Sequence, residues 1–271
     1  MTYLGVDTAA RITAPQAKKL RENGVSFVGR YITPGKSLDA AEITALRDAG
    51  LAIMFCWETT ADRVKGGARA GAEDSERAQW YARKLGIPAG CVIYFAADYD
   101  VPAVDFAAVE AYLRTARANI DDYTVGLYGP EAVVAEMSRR GSCYYYWQCC
   151  AWSNQRLPAA DVWQYAWQGD ARAKDMAQKT GILAVDLDSA ETLAGMWLPP
   201  VEEQPSHWYD EAMAWAEEAG LIRDGRPDDG VTRAELATVL MRFDQRMDAK
   251  ITEAVKISQP EDDSFGGLIS N

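Results

Sequence analysis

At 271 residues, with 48% hydrophobic and 25% charged side chains, the chain has ordinary globular composition and the length for one large domain plus a small one. Its formal net charge of −12 argues against nucleic acid, whose phosphates need concentrated Lys and Arg, and against simple electrostatic adhesion to an anionic wall or membrane. The single histidine, His207, rules out Cys–His catalysis, Ser–His–Asp catalysis and a His-rich metal site in the region before it.

From the N-terminus, short apolar runs alternate with helical patterns. Strands are predicted at 2–8, 25–32, 52–59, 91–98, 123–129, 144–152, 160–166 and 182–188. These runs are apolar nearly throughout, as in parallel strands buried on both faces. The first predicted helix, 14–23, has Pro15 near its start and Gly24 after its end. The second, 40–49, follows Asp39, with Glu42 completing a capping box and Gly50 as the stop. Further helices are predicted at 69–85, 103–119, 130–140 and, as a short last one, 189–197, while the segments between strands six, seven and eight are less regular. Eight strands with interleaved helices in about 197 residues imply an α/β fold, a closed TIM-type (β/α)8 barrel over residues 1–197. An open doubly wound sheet competes, but strand one runs into Asp7-Thr8-Ala9-Ala10 instead of a Gly-rich phosphate loop. A Pro-rich acidic linker follows at 198–205, then a small all-α module at 206–248 and a frayed tail at 249–271.

The five cysteines, Cys56, Cys91, Cys143, Cys149 and Cys150, are odd in number and lack zinc spacing. They read as free thiols of a protein made in a reducing compartment, four of them in apolar strand-like runs. Residues 1–7 lack the basic and long apolar regions of a signal peptide, and no run approaches the ~18 apolar residues of a membrane span. The expectation is a protein made in the cytoplasm.

Carboxylates gather where a β/α barrel carries its reacting groups, at the carboxyl ends of strands. Asp7 closes strand one, Glu58 strand three, Asp98 and Asp100 strand four, and Asp186 and Asp188 strand eight. Alternation along a strand puts Asp98 and Asp100 on one face, and likewise Asp186 and Asp188. Strands one and eight adjoin in a closed barrel, which brings Asp7 to Asp186. Glycoside hydrolysis needs one protonated and one ionised carboxyl, and crowding acids in a partly dry site splits their pKa values that way. A hard-cation site is the competing use of such a cluster. Aromatics fall near the same ends, among them Trp57, Tyr128, Trp152, Trp163, Tyr165 and Trp167, with Tyr31 closing strand two. They offer stacking faces for sugar rings, and Gln164 and Gln168 offer hydrogen bonds.

The strand-one GVD, FVGRYI, IYFAADYD, GLYG, VWQYA and the terminal VDLDSA together resemble the bacterial glycoside-hydrolase-like barrel family, once a domain of unknown function and itself similar to the family 25 muramidases. The resemblance covers roughly residues 1–197. It implies a peptidoglycan glycosidase of lysozyme or phage-endolysin type, without organic cofactor or obligatory metal, that acts at the bacterial wall after release. In the muramidase pattern strand four carries Asp-x-Glu, whose Glu is the acid; here Asp98-Tyr99-Asp100 departs by a shorter Asp. The resemblance thus assigns Asp100 as general acid, Asp98 as stabiliser or base, and Asp7 and Asp186 to charge tuning and substrate holding. Glu58, Trp57, Tyr128, Trp152, Gln164, Asp188 and Tyr31 are the expected substrate contacts. The departure at Asp100 keeps open a glycan-binding barrel without catalysis; a structural surface protein is the third possibility. Residues 206–243, with His207-Trp208, Gly220 and Thr232-Arg233-Ala234-Glu235, resemble one S-layer homology repeat. That implies binding of a secondary wall polymer through Arg233 and Trp208. Since such repeats usually come in threes, it also implies self-association.

Overall fold

The computed structural model describes residues 2–200 and 240–241. The barrel is built from β1 (Tyr3–Asp7), α1 (Ala14–Glu22), β2 (Val25–Tyr31), α2 (Ala40–Asp48), β3 (Ala52–Trp57), α3 (Gly67–Lys84), β4 (Val92–Ala96), α4 (Phe106–Asn119), β5 (Thr124–Gly129), α5 (Glu131–Arg140), β6 (Tyr145–Cys149), β7 (Val162–Ala166), α6 (Ala171–Thr180) and β8 (Asp186–Ala190). The eight strands close in sequence order, β8 against β1. Strands β1 to β7 run parallel, but β8 runs antiparallel to both neighbours, with Asp7 opposite Asp186 and Gln164 opposite Asp188. Asp186 and Asp188 therefore open strand eight instead of closing it. They reach the same end of the barrel as the carboxyl ends of the other strands because β8 is reversed.

Two apolar layers follow from the pleat. Outward residues such as Val6, Val28, Phe55, Phe95 and Leu187 pack beneath the helices. The lumen is filled by Phe27, Met54, Tyr94, Trp147, Val162 and Ala190, with Met196 packed among them. Gly29 on β2 makes room in this layer: a methyl group there would sit 2.8 Å from the Asp7 Cβ and 3.3 Å from the Trp147 ring. The expected helix at 189–197 does not form. Residues 186–190 belong to β8, Gly195 turns the chain with φ +77°, and Trp197 exchanges backbone hydrogen bonds with Ile53. Helix α6 lies earlier, between β7 and β8, capped by the Asp170 carboxylate.

The N-terminus of α2 departs from a capping box. Asp39 accepts from the Glu42 N–H at 2.8 Å, as a cap should. The Glu42 carboxylate instead turns inward, accepting from Arg30 Nε at 2.7 Å and from the Ile12 N–H at 3.0 Å. Arg30 also donates to the Thr8 carbonyl, and the Thr8 hydroxyl donates to the Ala184 carbonyl. This fully buried pair fixes the turn that follows Asp7 and ties it to the segment leading into Asp186.

Candidate active site

Four aspartates meet at the barrel mouth. Asp7, only 6% exposed, ends β1; Asp186 faces it on β8; Asp188 lies one pleat deeper, completely buried; Asp98 follows β4 and is half-buried. Gln164 of β7 links two of them, Asp7 and Asp186. Its Nε2 donates to Asp7 at 2.8 Å and to Asp186 at 3.2 Å, while its Oε1 accepts from the Tyr128 hydroxyl at 3.2 Å. The Gln168 N–H donates to the other Asp186 oxygen. Trp147 of β6, a residue the sequence reading did not single out, donates from Nε1 to Asp188 at 2.9 Å. Its ring stands edge-on to Tyr128 and Tyr94.

No Lys, Arg or His among the described residues forms an ion pair with any of these four acids. Lys36, which acts on Asp98 from outside the cluster, is bound to Glu58 at 2.6 Å and lies 4.0 Å from the centre of the Tyr31 ring. The electrostatic result is uniform in sign. Burial, then the neighbouring Asp186, raise the Asp7 carboxyl to about 7. Burial raises Asp186 to about 6, and Asp98 contributes. Asp98 itself is raised by burial and by Glu58, against the opposing pull of Lys36. Such a set holds protons well above the usual carboxylate range, and each ionisation makes the next harder.

Two expected site residues do not join this group. Trp57 is 1% exposed and faces outward, packed on Tyr81 of α3 with Arg77 across its ring. Its place at a strand end is right, but the pleat turns it away from the mouth. Asp100 is exposed and, among the described residues, makes no side-chain hydrogen bond or ion pair. Strand β4 ends at Ala96, and the Asp98 N–H donates to Ala61 across the neighbouring loop. Strand alternation therefore no longer governs where Asp100 points. Trp163 and Tyr165 alternate with Gln164 and likewise face away from the lumen, Tyr165 packing beneath the helices.

The rim carries two exposed indoles. Trp152, in the loop after β6, is 52% exposed and is the one described non-glycine residue with positive φ, +53°. That backbone costs about 1 kcal/mol, and such strain concentrates at functional sites. Trp167, just after β7, is 59% exposed, and its ring lies on Gly169, where a methyl group would sit 2.1 Å from it. All five cysteines are unpaired, and burial pushes Cys143 and Cys149 up to about 12, far from a reactive thiolate. Among the described residues no three ligand-type side chains are disposed to hold a metal ion, and no helix is long and apolar enough to cross a membrane. Arg233 and Trp208 lie outside the described residues, as does the rest of the proposed repeat apart from Leu240 and Met241.

The family description "Rv2525c-like, glycoside hydrolase-like domain" matches residues 18–190. The uncharacterized protein YbfG of Bacillus subtilis is 30% identical over 172 residues, 53% of this chain and 22% of YbfG. FadG of the same organism is 27% identical over 158 residues, 51% of this chain and 26% of FadG. The chain thus spans about a quarter of the length of these curated relatives. Among solved structures, the Tat-secreted protein Rv2525c of Mycobacterium tuberculosis, crystallised with L-tartrate, superposes with a TM-score of 0.61 at 24% identity, covering 72% of this chain and 98% of that one. An uncharacterized B. stearothermophilus protein superposes with a TM-score of 0.54 at 22% identity, covering 72% of this chain and all of its own. These superpositions speak to the fold.

Proposed function

The chain belongs to the Rv2525c-like, glycoside hydrolase-like domain family, and on that premise we propose that its barrel mouth hydrolyses a glycan of the bacterial cell wall by carboxylate acid–base chemistry. One observation carries the reading: four aspartates, two of them joined through Gln164 and none in an ion pair among the described residues, gather at the mouth, with two exposed indoles in the loops after β6 and β7. A glycan chain lies along the rim with sugar faces on Trp152 and Trp167. Asp98, half-buried just beyond the end of β4, donates the proton to the glycosidic oxygen, and burial and Glu58 raise its carboxyl in the direction that role needs. This moves the acid from Asp100, where the family 25 pattern puts it, to the residue two positions earlier. On the opposite wall Asp186, which at about 6 ionises before Asp7 at about 7, supplies the ionised oxygen that stabilises the oxocarbenium-like centre or directs water to it. Gln164 holds both in place.

A second reading, a barrel that binds wall glycan without cleaving it, draws on the exposed, unpartnered Asp100 at the muramidase acid position. Digestion of purified Gram-positive peptidoglycan, with mass analysis of the soluble products, separates the two. New reducing ends on muramic acid or glucosamine establish the glycosidase and name the bond. Protein that pellets with the wall but releases nothing establishes the binding barrel.

A further inference from the structure

Asp188 is the most deeply buried acid of the cluster, and its two oxygens differ. Oδ1 accepts from Trp147 Nε1 at 2.9 Å; Oδ2 is buried and has no donor. An ionised carboxylate oxygen in that position would forfeit its hydration for nothing, a penalty far larger than a hydrogen bond returns. Among the described residues no cation forms an ion pair with it. The groups facing it are Asp186 on its own strand, Asp7 on β1, Trp147 on β6 and Gln164 on β7. In register, Asp188 stands opposite Gly5, and Asp7 stands opposite Asp186. Asp188 is therefore the diagonal neighbour of Asp7 on the adjoining strand, with no side chain on Gly5 between them. The register thus sets the two carboxyl groups side by side, and each acts on the other's hold on its proton. Two carboxyls can bond to each other only if one keeps its proton.

We infer that Asp188 is a neutral carboxylic acid whose O–H donates to Asp7, with Trp147 clamping its other oxygen, so that a hidden acid orients Asp7 and tempers its charge. Burial and the neighbouring Asp7 push Asp188 well above the usual carboxylate range, in the same direction as the geometry. Asp188 and Trp147 are then positioning residues for the mouth, acting through Asp7, instead of substrate contacts. The function assigned to Asp7 rests on the proposed hydrolase; the shared proton does not.

The test separates those two layers. Infrared difference spectra between wild type and Asp188→Asn in the full chain, at a pH of about 8.5 where Asp7 and Asp186 are ionised, read the carbonyl band of a neutral carboxylic acid without reference to activity. The band is expected in the wild type and lost in the variant. The substituted amide places an N–H where the acid O–H was and keeps an oxygen for Trp147, so this variant is expected to melt within about 2 °C of wild type, a shift worth less than about 1 kcal/mol for a domain of this size. Asp188→Leu, which offers Asp7 no donor, is expected to melt well below it and to shift the pH profile of any glycan release. Absence of the neutral-acid band in the wild type overturns the inference. So does an Asp188→Asn protein as damaged as Asp188→Leu, since that would mean Asp188 is needed as an anion. If the band is present and wall glycan is never released, the inference stands and the hydrolase reading fails.

Discussion

Two buried polar clusters sit a few residues apart in this barrel, and they obey opposite rules. Around Arg30, charge is balanced: Glu42 faces the guanidinium, and their remaining groups bond the backbone of Thr8 and Ile12. Around Asp7, charge is unbalanced: acids crowd together with amide, indole and phenol groups and, among the described residues, no ion-paired cation. A chain selected for stability alone would have no use for the second arrangement. The difference marks one cluster as a staple for the turn after Asp7 and the other as the site that turn serves, a division of stability and activity that active sites commonly show.

The comparison breaks most sharply on activity. Asp98→Asn is expected to lower glycan release by about 10²-fold or more, the usual worth of a positioned proton donor, whereas Asp100→Asn retains most of it. Reducing-end assays on the two variants check this; the reverse pattern returns the acid to Asp100. Next in size is the staple. Removing one partner of a buried ion pair costs about 3–5 kcal/mol, so Glu42→Ala should melt roughly 10 °C lower, at about 2–4 °C per kcal/mol for a domain of this size. Calorimetry measures it, and a shift under a few degrees would show the pair to be dispensable.

The acid cluster predicts a pH trend of definite sign. Asp7 rises from 3.8 to about 7 and Asp186 from 3.8 to about 6 on folding. Between those values the folded protein binds more protons than the unfolded chain, so stability falls as pH rises from about 4 to 7. Melting curves across that range should decline in the wild type and decline less in Asp7→Asn. The smallest effect belongs to the rim. Trp152→Ala and Trp167→Ala are each expected to weaken wall-glycan binding by about 0.5–1.5 kcal/mol, roughly two- to tenfold in affinity, without moving the melting point.

Much of this was readable from residue order. Seven of the eight strands, and the helices from 14–23 to 130–140, follow from apolar runs punctuated by Gly and Pro, because local pattern and turn chemistry fix them. The direction of β8 was not readable: ILAVDLD has the same period whether the strand runs up or down. Asp186 was therefore placed at the mouth through an assumption of parallel strands that the structure replaces. Trp57 was misplaced by one pleat, and Asp100 because alternation ends with the strand at Ala96. Trp147 was missed because its partner lies two strands away, although an indole in a lumen strand always needs somewhere to send its N–H. The capping motif that Asp39 and Glu42 share hides the inward turn of Glu42. The Arg inside the apolar run FVGRYI was the signal that a buried carboxylate was owed to it.

The most direct test of the division between the two clusters is one variant, Asp7→Asn, melted at pH 7.5 with its release of soluble wall glycan assayed on the same preparation. The account predicts a protein that melts higher than wild type and releases little or no glycan. A variant that melts lower, or that digests the wall as the wild type does, would contradict it.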